Sequence, residues 1–160
     1  MAPTVGSNFE ITDVNINGQT VSLRIWDTAG QEQYQSIMPV YLKGSQVAVI
    51  VASIVDHLSI ANIDKWIDLL NKTEMCKFIV VINKIDLQDN INIVDEIRGE
   101  LTDKYQDVMF VSAKTGSGIK DLFYTIAKTA LIESETEGDV EHKNGVNIAN
   151  SNENQTRFCC

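Results

Sequence analysis

Residues 78–86 read FIVVINKID, an apolar run of five residues followed by a short polar loop. Similar apolar runs lie at 47–54 and 108–111, and amphipathic helical patterns lie between the runs, at 60–70 and 91–105. Apolar strands that alternate with helices are typical of parallel βαβ units, in which both faces of the sheet are covered. The sequence therefore predicts an α/β domain with its ligand-binding loops at the carboxyl ends of the strands.

The N-terminal part of the chain has the pattern of an antiparallel ribbon. Residues 8–17 and 20–26 alternate or are β-branched, and Asn17-Gly18 between them is a strong signal for a two-residue hairpin turn. A loop and an irregular helix over 31–43 are predicted to follow.

The C-terminal part changes composition after one last helix, predicted over 119–132. From Glu133 onward the chain is rich in Glu, Asn, Ser, Thr and Gly, and such a segment buries too little apolar area to offset the entropy of ordering. Two regions are therefore predicted: a domain over 1–132 and a disordered acidic tail over 133–160.

Composition excludes several classes of protein. The formal net charge is −9, from 22 acidic and 13 basic residues, which argues against nucleic acid as a partner. The three cysteines, Cys76, Cys159 and Cys160, suggest no disulfide framework and no metal-ligand spacing, so a reducing compartment is expected. No leader pattern and no membrane-spanning run is found in the sequence, which predicts a cytosolic chain unless something attaches it.

Two of the loops that follow apolar runs carry polar residues in a distinctive order. Residues 83–86 read NKID, and residues 112–114, which begin with Ser112, read SAK. The first loop alone is equally well explained as an ordinary polar connection between a strand and a helix. Together and in register, the two loops resemble the guanine-recognition loops of small GTPases. The resemblance implies that both loops, Ser112 included, bind GTP and GDP.

The resemblance also implies a role for the individual residues of these loops. The Asp86 carboxylate would accept hydrogen bonds from the ring N–H and the exocyclic amine of guanine, and the Ala113 backbone N–H would donate to the guanine carbonyl oxygen. Adenine presents the reverse pattern and would leave buried polar groups unpaired. Asn83 would brace the two loops, and the stems of Lys84 and Lys114 would cover the base and ribose.

Residues 26–32 read WDTAGQE and resemble the loop with which this family holds magnesium and the γ-phosphate. Asp27 would hold Mg²⁺ through water, and the Gly30 backbone N–H would bind the γ-phosphate, where a side chain would block close approach. Gln31 would be the catalytic residue that orients the attacking water. The alternative is an ordinary turn of small residues after a strand.

Residues on either side of this loop narrow the resemblance to the Rab branch. Thr4 lies in a stretch similar to the end of the first switch and would bind Mg²⁺, although a frayed terminus without a role explains it as well. Phe9, Trp26 and Tyr41 match the three aromatic positions on which Rab effectors dock; the alternative is that they are core residues. Residues 34–39, YQSIMP, favour the endosomal Rabs.

The chain ends in Cys159-Cys160, which resembles the Rab signal for double geranylgeranylation. The tail carries six acidic residues against Lys143 and Arg157, so an anionic leaflet would repel it. We therefore expect that attachment to a membrane needs two lipid chains.

The resemblance begins at the first switch. The strand, Gly-x-x-x-x-Gly-Lys-Ser/Thr loop and helix that open the family's domain are not found in the 160 residues. We therefore expect a small-GTPase fold with a mostly parallel sheet and one antiparallel strand, missing its first strand, phosphate loop and first helix. In the family's sheet that strand lies between the strands at 20–26 and 47–54, so two open edges and weak nucleotide binding are expected.

As a whole, the resemblance implies that the complete form is a Rab-like, GTP-hydrolysing switch of membrane traffic that cycles between the cytosol and the cytoplasmic face of endomembranes. Without the phosphate loop, hydrolysis by these 160 residues should be abolished or severely impaired. Its implied partners are effectors, an exchange factor, a GTPase-activating protein, a prenylation escort and a GDP-dissociation inhibitor, and the chain would be a monomer. Two alternatives stay open: a nucleotide-free, prenylated interaction module, and a truncated product without function.

Overall fold

A computed structural model describes residues 8–27, 42, 44–72, 77–88, 91–141 and 155–159 of the chain. These residues form a six-stranded sheet, four α-helices and a 3₁₀ turn at Ile85–Leu87. The strands are β1 (Asn8–Ile16), β2 (Gln19–Asp27), β3 (Val47–Ser53), β4 (Lys77–Asn83), β5 (Val108–Phe110) and β6 (Gln155–Cys159). The helices are α1 (His57–Ala61), α2 (Ile63–Lys72), α3 (Ile91–Lys104) and α4 (Ile119–Glu141).

The strands follow the order β1-β2-β6-β3-β4-β5 across the sheet. β1 pairs antiparallel with β2, and every other neighbouring pair is parallel. The predicted α/β fold, with a mostly parallel sheet and one antiparallel strand, is confirmed. The predicted helix over 31–43 lies, apart from Leu42, outside the described residues.

The hairpin between β1 and β2 turns at the predicted dipeptide. Asn17 and Gly18 have φ angles of 52° and 90°, the left-handed pair that a type I′ turn requires. The Gly18 N–H donates to Oδ1 of Asn15 at 3.0 Å, which fixes the turn from one side. The sequence therefore set the register of the ribbon, in which Phe9 pairs with Trp26.

The sheet has a hydrophobic core on each face. On one face α4 covers the strands, with Leu23, Val49 and Ile79 among the buried side chains. On the other face α2 and α3 pack against residues such as Ile50 and Ile82. The odd and even positions of β3 and β4 thus enter different cores, as expected for strands buried on both faces. Among the apolar residues of these two strands, Val51 is the exception, at 53% exposed.

The predicted helix over 60–70 is two helices. Asp56 caps α1 by accepting from the backbone N–H groups of Leu58 and Ser59, so the helix begins earlier than its apolar pattern. Asn62 ends α1, and α2 begins at the next residue.

Two segments after residue 132, within the predicted tail, have regular secondary structure. The first is α4, which continues to Glu141. Glutamate side chains lose little rotamer freedom in a helix, and each added residue of a formed helix gains a backbone hydrogen bond. The composition of residues 133–141 therefore prevents them from forming a core but not from extending a helix.

The second segment is β6, which lies in the middle of the sheet between β2 and β3. The expected pair of open edges is therefore closed by the chain itself. β6 is parallel to both neighbours, and its residues pair with Ser22 to Trp26 on one side and with Val47 and Ala48 on the other. Backbone groups paired in this way stabilise a strand whose side-chain composition alone gives no strong signal.

Candidate guanine-binding site

The loops after β4 and β5 meet at the carboxyl edge of the sheet. The Val111 N–H donates to the Ile82 carbonyl at 2.9 Å, and the Ile85 N–H donates back to the Val111 carbonyl at 3.3 Å. Because these bonds continue the parallel pairing beyond β5, residues 83–86 and 112–114 leave the sheet side by side. The structure brings the two predicted loops together.

Asn83 joins the two loops through its side chain. Its Oδ1 accepts from the Lys84 N–H at 2.7 Å and from the Ala113 N–H at 3.0 Å. The Ala113 N–H, predicted to donate to the guanine carbonyl, donates to Asn83 in this structure. Binding of guanine at this N–H requires it to be shared with, or exchanged from, Asn83.

Asp86 and Ser112 form a second link between the loops. The Ser112 hydroxyl donates to Oδ1 of Asp86 at 2.6 Å and accepts from the Thr115 N–H at 3.1 Å. Ser112 is fully buried, and the Asp86 side chain is 13% exposed. The carboxylate is therefore held in one orientation, with acceptor capacity left beyond the bond to Ser112.

The lysines of the site differ in how firmly they are held. Lys114 lies with Nζ 3.9 Å from Oδ2 of Asp86, and its side chain is 78% exposed, so it can move without disturbing the core. Lys84 is exposed, but its backbone has φ 64° and ψ 30°, the left-handed region that a lysine seldom adopts. The bond from its N–H to Asn83 supports that conformation.

The second loop is shaped by a glycine that the sequence analysis did not single out. Gly118 has φ 72°, and a Cβ there would lie 2.9 Å from the Phe110 carbonyl oxygen and 3.1 Å from Cγ1 of Val111. The Ser112 N–H donates to the Ser117 carbonyl at 2.9 Å and closes the loop. The Gly-x-Gly spacing of residues 116–118 was the signal available in the sequence.

Part of the predicted phosphate and magnesium machinery can be placed. Asp27 is exposed and ends β2, whose carboxyl end lies at the same edge of the sheet as the loops. Thr4, Gly30 and Gln31 lie outside the described residues. Within the described part of the chain no group of three His, Cys, Asp or Glu side chains is placed to hold a metal ion. A single carboxylate fits Mg²⁺, which commonly takes its remaining ligands from phosphate and water.

The first two predicted aromatic anchors lie against each other on the ribbon. The rings of Phe9 and Trp26 have centroids 5.2 Å apart at an angle of 39°, and the Arg24 guanidinium lies 5.6 Å from the centre of the Phe9 ring. Phe9 is 47% exposed, whereas Trp26 packs partly against the core. Tyr41 lies outside the described residues.

Comparison with known proteins decides the family. The model of a family described as the Ras family matches residues 1–132. This chain belongs to the Ras family. Its relatives include proteins named Rab5 and RABE1e, and together these findings make it a Rab-type small GTPase.

Three relatives show the extent of the likeness. The Rab-type chain is 38% identical to Ras-related protein Rab5 of Nicotiana tabacum, over 78% of its own length and 64% of that protein. It is 33% identical to Ras-related protein SEC4 of Saccharomyces cerevisiae, over 78% of its length and 59% of that protein. With Ras-related protein RABE1e of Arabidopsis thaliana the identity is 30%, over 98% of this chain and 78% of the relative. The chain thus spans about three fifths of the first two relatives.

The predicted lipidation motif of this Rab-type chain overlaps a strand. Cys159 is the last residue of β6, where it pairs with Trp26 of β2 and Ala48 of β3, while Cys160 lies outside the described residues. None of the helices in the described ranges is long and apolar enough to cross a bilayer.

Proposed function

We propose that this Rab-type chain binds guanine nucleotide through the loops at 83–86 and 112–114. The observation that carries the proposal is the pair of links between the loops, Asn83 to the Ala113 N–H and Asp86 to the Ser112 hydroxyl. A carboxylate that is already oriented loses little entropy when a ligand binds, so its hydrogen bonds contribute more to affinity.

The chemistry of this site favours guanine over adenine. Asp86 offers only acceptors when ionised, and guanine presents two adjacent donors, its ring N–H and its exocyclic amine. Adenine places an acceptor opposite the carboxylate, and the mismatch of buried polar groups costs about 1–3 kcal/mol for each group. Lys114 stands beside the carboxylate, and its exposed stem, with that of exposed Lys84, would cover the base.

Hydrolysis of GTP is the activity we propose for Thr4 and the loop at residues 26–32. Asp27 would hold Mg²⁺ together with Thr4, the Gly30 N–H would bind the γ-phosphate, and Gln31 would orient the water. A magnesium ion supplies positive charge that neutralises the charge developing on the phosphates. Of this set the structure describes Asp27, which lies at the carboxyl edge of the sheet.

The role we propose for this switch is in membrane traffic, on the cytoplasmic face of endomembranes, with the endosomal branch favoured. Exposed Phe9 beside Trp26 supports effector docking, because a large apolar ring that is half exposed is a suitable anchor. Ile11, 57% exposed and two residues from Phe9 on the same side of β1, extends this apolar surface. An exchange factor, a GTPase-activating protein, a prenylation escort and a GDP-dissociation inhibitor are the further partners we propose for the monomer, and lipid on Cys159 and Cys160 would attach it.

A second candidate function is a nucleotide-free, lipid-anchored interaction module. It is favoured by β6, which fills the middle of the sheet with a segment of the chain itself. A sheet completed in this way needs no bound nucleotide for its continuity. The two candidates share the aromatic surface of the ribbon and differ in whether the loops bind a base.

The test is binding of GDP and of ADP to the full chain in the presence of Mg²⁺, followed by the backbone amide resonances of Ala113 and Lys114. We expect GDP to shift both resonances and ADP to leave them unchanged at the same concentration. Equal shifts with both nucleotides would contradict base recognition. No shift with GDP, in a chain that still unfolds cooperatively in urea, would favour the nucleotide-free module.

A further inference from the structure

The position of β6 gives the end of the chain a second use. Gln155 to Cys159 pair with β2 along the whole strand, and Phe158 and Cys159 also pair with Val47 and Ala48 of β3. The last two residues of β6 are therefore bound on both sides. A backbone paired on both sides cannot at the same time lie extended in the cleft of another protein.

We propose that β6 docks reversibly in the slot between β2 and β3, and that the docked strand withholds Cys159 from lipid attachment. The effect on Cys159 depends on the proposed lipidation, whereas the docking itself follows from the position of β6 in the sheet. The slot is occupied by this chain's own residues 155–159, and their pairing with β2 and β3 restrains them.

The chemistry of the restrained step is a thiol alkylation. The Cys159 sulfur would attack the first carbon of a prenyl diphosphate, forming a C–S bond as the C–O bond to the diphosphate breaks. Diphosphate leaves with the bonding electrons, and the thiol proton passes to solvent. An enzyme that brings these atoms together must surround the thiol and several flanking residues, which here means detaching β6 from both neighbours.

The size of β6 makes the docking reversible. The strand has five residues, and its pairing with β3 is limited to Val47 and Ala48. Segments with few pairings open with a free energy well below that of global unfolding. Thirteen residues, 142–154, separate β6 from α4, and a stretch of that length reaches at most about 43–47 Å when fully extended, which leaves β6 room to move out of the slot.

Docking and lipid attachment then compete for the same segment. The rate of lipid attachment falls in proportion to the undocked fraction, so a docked population of about 90% slows it about tenfold. Once both cysteines carry lipid, the segment is drawn to the membrane and the slot is left for another strand. The first partner to consider for that slot is the same segment of a second copy, which the experiment below distinguishes.

The first experiment compares the wild type with Phe158→Pro, using Asn150→Pro as the control. Proline removes a backbone donor from a strand that is paired on both sides, whereas residue 150 lies outside β6. We expect slow hydrogen exchange at residues 155–159 in the wild type and the control, and fast exchange in Phe158→Pro. Incorporation of radiolabelled prenyl group from the diphosphate, in an extract that contains the transferase, should be about tenfold faster in Phe158→Pro.

A second pair of substitutions locks the strand instead of releasing it. Ser22 and Gln155 are partners in the parallel register, and adjacent strands lie about 4.7–4.9 Å apart, within the range that a disulfide spans. In Ser22→Cys/Gln155→Cys, made in a Cys76→Ser background, oxidation should stop prenyl incorporation and reductant should restore it. The Cys76→Ser chain under the same oxidising conditions controls for effects on the transferase.

The outcomes separate this inference from the proposed function. Fast exchange at 155–159 in the wild type, or equal prenyl incorporation in Phe158→Pro and wild type, overturns the restraint. Slow exchange in a dimer that mixed-isotope labelling shows to be strand-swapped overturns docking by the chain's own segment. No prenyl group on any variant, with slow exchange retained, overturns the lipidation and with it the restraint, and leaves β6 as a purely structural strand.

Discussion

Single side chains hold the two loops of the candidate site together. Asn83 and Asp86 come from the loop after β4, and each is bonded to a group on the loop after β5. Removing either side chain leaves a donor on the opposite loop without its partner. The order of the loops therefore depends on the same residues that would contact the base.

Two substitutions of Lys84 distinguish the effect of its backbone conformation from the effect of its side chain. Lys84→Gly and Lys84→Ala both remove the stem that would cover the base, but only glycine adopts φ 64° without strain. We expect Lys84→Gly to be about 1 kcal/mol more stable than Lys84→Ala in urea unfolding, and both to bind GDP more weakly than the wild type. Equal stability of the two variants would mean that the loop relaxes out of the left-handed region.

Gly118 and Gly116 are a matched pair for the shape of the second loop. Both have positive φ angles, 72° and 83°, but an added Cβ meets the Phe110 carbonyl at residue 118 and no atom within 4 Å at residue 116. We expect Gly116→Ala to cost about 1–2 kcal/mol of unfolding free energy. Gly118→Ala should cost about 1–3 kcal/mol more, because the backbone of β5 cannot move aside. Similar losses in urea unfolding would contradict the close approach.

The sequence was sufficient to predict which residues form the site, but not which hydrogen bonds they make. The sequence indicated that Asn83 and Ala113 lie in neighbouring loops, since apolar runs precede both. It did not indicate that the Ala113 N–H donates to Asn83, because every residue but proline carries that donor and no residue type identifies it. The close approach of Gly118 to the Phe110 carbonyl of β5 was not predictable for a related reason, since every residue carries a backbone carbonyl.

At the scale of elements, α2 and α3 are joined by a polar link at their ends. Asp64 of α2 accepts from Lys104 Nζ at 2.5 Å and from the Tyr105 hydroxyl at 2.7 Å. The hydrogen bond from Lys104, followed by that from Tyr105, lowers the pKa of Asp64. The same bond to Asp64 raises the pKa of Lys104.

The lowered pKa of Asp64 gives this link a pH dependence of known sign. Its stabilisation is fully present above the unfolded carboxyl pKa of about 3.9 and is lost as the pH falls through the lower folded pKa. We expect Asp64→Asn to unfold at lower urea concentration than the wild type at pH 7 and at the same concentration near pH 2, where the carboxyl is protonated. Asp68→Asn, exposed on the same helix, is the control, and a difference that persists at low pH would contradict the ionic origin.

The elements differ in how far the sequence determined them. β3 and β4 were predictable because strands buried on both faces are continuous apolar runs. The two ends of α1 were less visible. The apolar pattern continues through Asn62, where the helix ends, and the Asp56 cap that begins the helix acts on backbone groups. β6 was not predictable from its own residues, because its strand conformation depends on pairing with Ser22–Trp26, more than a hundred positions away.

In the whole molecule, one sheet connects three features: the loops at 83–86 and 112–114, the aromatic pair Phe9 and Trp26, and the strand β6. The loops extend β4 and β5, Phe9 and Trp26 lie on β1 and β2, and β6 lies between the two groups. Displacement of β6 would separate β2 from β3 and so divide the aromatic surface from the loops. We therefore expect docking or release of β6 to influence both the proposed nucleotide binding and the proposed effector docking.

The proposed selection of guanine by Asp86 is tested by comparing the base preference of the wild type with that of Asp86→Asn. An amide in place of the carboxylate offers a donor, which suits the carbonyl that xanthine carries where guanine has its amine. Because two charge-assisted hydrogen bonds of about 1.5–3 kcal/mol each are involved, we predict that the ratio of GDP to xanthosine diphosphate affinities falls by about 10²–10⁴. Asp95→Asn, exposed on α3, should keep the wild-type preference for GDP. An unchanged ratio in Asp86→Asn would contradict guanine selection by Asp86.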